Sequence, residues 1–95
     1  MRESSIVDSI VKWINSQPEA IARKRHGTVY GVAGDPDIDA CVRGHSVQIE
    51  VKQTGKHPTP LQFKRLEEWG KAGADAIWVT SLDEVRQHFR KAGWL

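Results

Sequence analysis

The chain has 95 residues, 39% hydrophobic and 27% charged, with a net charge of +2. That length supports one domain over residues 1–95 with a small core, to which dimerisation would add stability. A single cysteine, Cys41, excludes an internal disulfide and a cysteine-rich zinc site, and it fits a reducing compartment. With no run of about 18 apolar residues and no apolar N-terminal stretch, neither a membrane span nor a signal peptide is expected.

Ile6, Val7, Ile10, Val11, Trp13 and Ile14 recur at spacings of three and four, which predicts an amphipathic helix over about residues 4–16. Pro18 lies just past its end, and residues 18–24 read as a turn or as the end of that helix. Residues 26–32 alternate apolar with small or polar side chains and predict a first strand; Tyr30 within it belongs either to the core or near a site. Gly31, Gly34 and Pro36 break it into a loop. Residues 38–42 predict a second strand, Arg43-Gly44-His45 a turn, and residues 46–52 a third strand. On that third strand Val47, Ile49 and Val51 share one face, and Gln48, Glu50 and Lys52 the other.

Residues 53–60 carry Gly55, Pro58 and Pro60 and predict a loop. A helix follows to Lys71, with Thr59 as N-cap, Pro60 at its first position and Leu61, Leu66 and Trp69 as its buried stripe. Residues 74–79 predict a short apolar strand. Ser81 and Glu84 form a capping-box pattern for a last helix whose inner face is Leu82, Val85 and Phe89. The expected architecture is α/β: helix, three antiparallel strands joined by short turns, helix, a crossover to a parallel fourth strand, and helix. Of the four tryptophans, Trp13, Trp69, Trp78 and Trp94, most are expected in the core and one or two as interface anchors.

Chemistry concentrates on two neighbouring strands. Glu50 and Lys52 are two apart, so they point to one face, and Asp37 opens the preceding strand. Taken alone, the three read as a surface ion pair. Two carboxylates beside an ammonium group are costly unless something binds there, and hard divalent cations want oxygen ligands. Asp39 adds a third carboxylate on the same face, and Asp35 reads as a turn residue. His26 and His45 show no metal-ligand spacing with each other or with Cys41.

Pro36-Asp37 followed by Glu50-Val51-Lys52 resembles the PD-(D/E)xK nuclease superfamily, and with it a restriction-endonuclease-like mixed β-sheet flanked by helices. Within it the chain is similar to the VRR-NUC (virus-type replication-repair nuclease) family, in the stand-alone form of its phage members. Glu3 on the N-terminal helix, Gly34-Asp35-Pro36-Asp37, Glu50-Val51-Lys52 and Gln62 on the following helix carry that resemblance, which covers almost the whole chain. It implies a metal site in which Asp37, Glu50 and the backbone carbonyl of Val51 bind Mg2+, or Mn2+ as a substitute. Glu3 would bind a second metal or a metal-bound water. Asp37, Glu50, Lys52 and Gln62 become the candidate catalytic residues, Lys52 orienting water or stabilising phosphate charge and Gln62 lying beside it.

A site of that charge needs cations around it to hold phosphates. Arg23, Lys24, Arg25, Lys56, Lys64 and Arg65 are the candidates for DNA binding, with salt-dependent affinity and little reading of base sequence. The expected protein is a metal-dependent DNA endonuclease, a homodimer that resolves Holliday-type junctions in the cytoplasm of a bacterial or phage-infected cell. A nickase or flap-type nuclease, an inactive nuclease-fold DNA-binding module and a protein-interaction domain are the other readings.

Overall fold

The computed structural model describes residues 1–27 and 31–94. Helix α1 (Glu3–Asn15) forms where the apolar period predicts it, burying Ile6, Val7, Ile10 and Ile14. A turn follows, in which Glu19 takes the left-handed conformation (φ 56°), and the chain enters strand β1 (Ala20–Lys24). Strands β2 (Ile38–Val42) and β3 (His45–Val51) are joined by a two-residue hairpin. Arg43 and Gly44 both have positive φ (49° and 83°) there, as a tight hairpin turn with matching twist requires. Helix α2 (Pro60–Lys71), strand β4 (Asp75–Val79) and helix α3 (Leu82–Lys91) complete the chain.

The sheet has the order β1-β2-β3-β4, with β1/β2 and β2/β3 antiparallel and β3/β4 parallel. The mixed α/β sheet between helices is therefore as expected, with one displacement. The first strand is β1, in the stretch read as a turn or helix end. Residues 26, 27, 31 and 32 belong to no strand; residues 28–30, Tyr30 among them, lie outside the described residues. The physical reason is pairing. β1 is poor in strand-forming side chains, but Ala20 and Ala22 face Val42 and Ala40 across the ladder, and these small residues leave room for α1. Both edges of β2 are then occupied, by β1 and β3, so residues 26, 27, 31 and 32 have no place beside it. β1 and β2 are accordingly joined through residues 25–37 rather than by a short turn.

One face of the sheet packs against α1 and α3. Ile38, Ala40, Val42, Val47, Ile49, Val51 and Val79 form the core with Ile6, Ile10, Ile14, Val85 and Phe89. Helix α2 lies on the other face, over β3 and β4. The free edge of β1 is covered from within: the Asn15 side chain accepts from Ala22 N–H (2.8 Å) and donates to Ala22 C=O (3.1 Å). No helix is long and apolar enough to cross a membrane among the described residues.

Both downstream helices start where their caps predict. Thr59 caps α2 through its hydroxyl, with Pro60 at the first position. Ser81 Oγ accepts from Glu84 N–H, while the Glu84 carboxylate accepts from Thr80 N–H rather than from the cap residue itself. In α2, Leu66 is buried and Trp69 half-buried, but Leu61 is exposed, since a five-residue step from Leu61 to Leu66 leaves the buried stripe.

Candidate active site

The face of the sheet under α2 carries the acidic residues. Ile38 pairs with Ile49, so the next position in the antiparallel register sets Asp37 opposite Glu50. Glu50 is 2% exposed, although a free carboxylate gains most of its stability from water. Burial, and then the hydrogen bond and negative charge of Asp37, push the Glu50 carboxyl up to about 9; the Lys52 ammonium and a Val51 backbone N–H pull the other way. Asp37 Oδ2 accepts from Val51 N–H at 2.8 Å, which fixes its carboxylate at the end of β3. The backbone N–H of Lys52 donates to Val79 C=O (2.9 Å), so the residue is anchored to β4 while its half-buried side chain lies close enough to act on Glu50.

The long loop before Asp37 is held by α2 and by Arg25. Arg65 Nε donates to Ala33 C=O (3.0 Å), and Trp69 Nε1 donates to Asp35 Oδ1 (3.3 Å). Gly34 has φ +81° and sits so close to α2 that a Cβ would lie 2.8 Å from Leu61 Cγ. Arg25 donates to Pro36 C=O (2.8 Å), faces Asp35 and Asp39 at 3.9 Å each, and lies over the Trp69 ring at 5.2 Å. Beside Asp37 an open cleft of about 300 Å3 is lined by this loop and by Arg25.

Glu3 is the first residue of α1, and its Oε2 accepts from Gln53 N–H (3.2 Å), one residue beyond Lys52. The fold thus brings an N-terminal carboxylate to the same end of β3. Gln62 closes the capping box of α2, its Oε1 accepting from Thr59 N–H at 2.9 Å. That bond engages its oxygen, and its amide nitrogen enters no hydrogen bond among the described residues. Asp39 accepts from Gln48 Nε2 (2.8 Å), and Gln48 itself is 0% exposed.

The six cations divide into two groups. Arg25 and Arg65 are turned inward as clamps on the acidic loop. Lys56 and Lys64 are exposed and enter no ion pair among the described residues, Lys24 pairs loosely with Asp8 at 4.0 Å, and exposed Arg23 donates to Ala22 C=O. Sequence reasoning missed the clamping role because a basic residue near an acidic loop looks the same whether it faces the loop or the solvent. Trp69 carried a signal in its indole N–H, which needs a partner when half-buried.

Among the described residues no group of three His, Cys, Asp or Glu side chains converges on one point. The ligands the family resemblance implies, Asp37, Glu50 and the Val51 carbonyl, would make a set of two carboxylates and one main-chain oxygen. A set of that chemistry would suit Mg2+, which commonly takes one or two carboxylates and completes its shell with water and phosphate oxygens.

Two solved structures share this architecture. One, described as a VRR_NUC domain protein, superposes with a TM-score of 0.74 at 19% identity, over 96% of this chain and 87% of its own. Another, described as a VRR_NUC domain, gives a TM-score of 0.77 at 24% identity, over 93% and 94%. The chain has the VRR-NUC fold. No family model matches the sequence, and no curated protein does. The VRR-NUC likeness is thus carried by the arrangement of elements, at identities where most side chains have changed.

Proposed function

We propose that the protein is a metal-dependent endonuclease that hydrolyses DNA phosphodiester bonds, acting on branched DNA as a homodimer in the manner of a Holliday-junction resolvase. The observation that carries the reading is the Asp37–Glu50 pair, two carboxyls facing each other at the end of β3 with Lys52 beside them. Nothing in the fold requires a glutamate under α2; an apolar residue there would cost less. A divalent cation gives the pair a purpose, since it favours both carboxylates ionised where burial and mutual repulsion otherwise keep one protonated.

Bound Mg2+, or Mn2+ in its place, would polarise the phosphate and make water a better nucleophile. Asp37, Glu50 and the Val51 carbonyl would hold it, with Glu3 available to a second ion or to ordered water. The chain's own groups do the rest. Lys52 places an ammonium beside the reacting phosphate, where it orients water or offsets developing charge. The amide nitrogen of Gln62 can donate to water or phosphate while its oxygen stays in the helix cap. Lys56 and Lys64, with Arg23 and Lys24 on the edge strand β1, would hold the DNA backbone through charge, so affinity should fall steeply with salt. A symmetric dimer would present two sites, suited to paired nicks.

The test is cleavage of a labelled four-way junction with Mg2+ or Mn2+, beside a matched linear duplex. Symmetric metal-dependent nicks near the branch point are expected from the native chain. Asp37→Ala and Lys52→Ala should each lower the rate by about 100-fold or more while folding normally; cutting retained by both variants overturns the reading. Preferential cutting of flaps would keep the chemistry and change the substrate, and a monomer by light scattering with DNA bound would remove the paired nicks.

A further inference from the structure

Three of the four tryptophans are accounted for inside the fold. Trp13 and Trp94 pack on Phe89 at centroid distances of 5.5 and 5.2 Å, and Trp69 bonds Asp35. Trp78 is different. It is 39% exposed on β4, and its one ring neighbour among the described residues, Phe63 on α2, is 45% exposed and meets it edge to face at 6.4 Å. Two large aromatic surfaces in contact with each other and with water lose part of the burial that usually justifies such residues.

Their position is specific. Trp78 is the register partner of Glu50 on the adjacent strand, and partners in a ladder share a face, so its backbone stands one strand spacing, about 4.8 Å, from that of the buried carboxyl. Phe63 follows Gln62 directly. Of the cations near the pair in the chain, Lys64 beside Phe63 and Lys56 in the loop leading to α2 enter no ion pair among the described residues, whereas Arg65, one residue further along α2, pairs with Glu68. An apolar ring pair, one member on a helix that also carries the unpaired Lys64, suits a ligand with a flat π-face and an anionic backbone. Bases within a continuous duplex are already stacked on their neighbours, so only an unpaired base has a face to offer.

We infer that Trp78 and Phe63 form a stacking platform for an unpaired base of the nucleic acid held at the candidate site. The inference rests on the nuclease reading above and deepens it: selectivity for branched over continuous DNA would come from capture of a base freed at the branch. Stacking on an aromatic ring is nearly indifferent to base identity, so the platform reads structure without reading sequence.

The experiment compares binding of two synthetic DNAs, a forked duplex with unpaired bases at the branch and a fully matched duplex of the same length, with Ca2+ replacing Mg2+ to keep strands intact. Trp78→Leu and Phe63→Leu keep an apolar side chain and remove the π-face. Each should weaken fork binding by about tenfold and leave matched-duplex binding within about twofold, and Trp78→Phe should restore most of the loss. Thermal melting of each variant separates this from unfolding, and Phe63→Leu, at an exposed helix position, supplies the test if Trp78→Leu melts early. Equal weakening on both DNAs, or none on either, overturns the inference. So does a fall in solution mass of Trp78→Leu with equal loss on both probes, which makes the ring pair a contact between copies. If the native chain binds neither DNA in Ca2+ and cuts neither once Mg2+ is restored, the nuclease reading itself fails; if it binds both in Ca2+ and cuts in Mg2+ while the leucine variants behave identically, only the platform fails.

Discussion

The two faces of β3 are buried alike and furnished differently. Toward α1 and α3 stand Val47, Ile49 and Val51, each 0% exposed in a continuous apolar core. Toward α2 stand Gln48 and Glu50, as deeply buried, with Asp37, Asp39 and Lys52 around them. One face contributes the hydrophobic stabilisation that a small domain depends on. The other sets ionisable groups and an amide under a helix, and Gln48 Oε1 is left without a hydrogen-bond partner among the described residues. Burial alone thus does not separate a core from a site; the cost of what is buried does.

The sharpest way to break this contrast is to substitute one residue on each face. Ile49→Ala should lower unfolding free energy by about 2–5 kcal/mol, read by denaturant titration, because the cavity lies inside a packed core. Glu50→Gln should do the opposite in the metal-free protein, adding on the order of 2 kcal/mol at neutral pH while abolishing cleavage. The sign follows from the raised carboxyl. Between 4.5 and about 9 the folded chain keeps a proton on Glu50 that the unfolded chain has released, so stability falls as pH rises through that window. The variant has no such proton, and its stability should be flatter across the same range; an unchanged pH dependence would mean that Glu50 is ordinarily ionised. A smaller effect tests how the polar face is held. Gly34→Ala places a methyl against Leu61 at a positive φ and should cost about 1–2 kcal/mol, with a loss of cleavage larger than the stability change explains, as Asp37 shifts with its loop. The smallest belongs to the start of α2, where Thr59→Ala should cost about 1 kcal/mol by removing the cap.

The two faces were not equally legible in the sequence. Where one local rule decides, the prediction matches: β2 over Ile38–Val42, the start of α2 at Thr59-Pro60, and the alternation on β3 that separates valines and isoleucine from Gln48 and Glu50. Where partners decide, it does not. β1 is a strand because β2 offers an edge at the right register, and its alanines give no sign of that before pairing. The acidic pair was readable from Asp37 and Glu50-Val51-Lys52, since strand parity brings them to one side. What encloses the pair was not: Arg25 and Arg65 have the composition of a DNA-binding surface and the contacts of struts. Trp78 shows the same limit, because only the fold reveals that β4 sets it in register with Glu50 and leaves it partly exposed.

Asn15 carries one more consequence. An outer strand presents a template that any extended peptide can join, and the two groups such a peptide would engage at Ala22 already have an amide bound to them. Because that amide is tethered to the same chain, it competes as an internal inhibitor whose local concentration no dilute intruder matches. The sheet is therefore guarded at this margin against growth by recruitment of further strands, and copies of the chain that meet would be steered to join through side chains instead of by extending one another's backbone ladder.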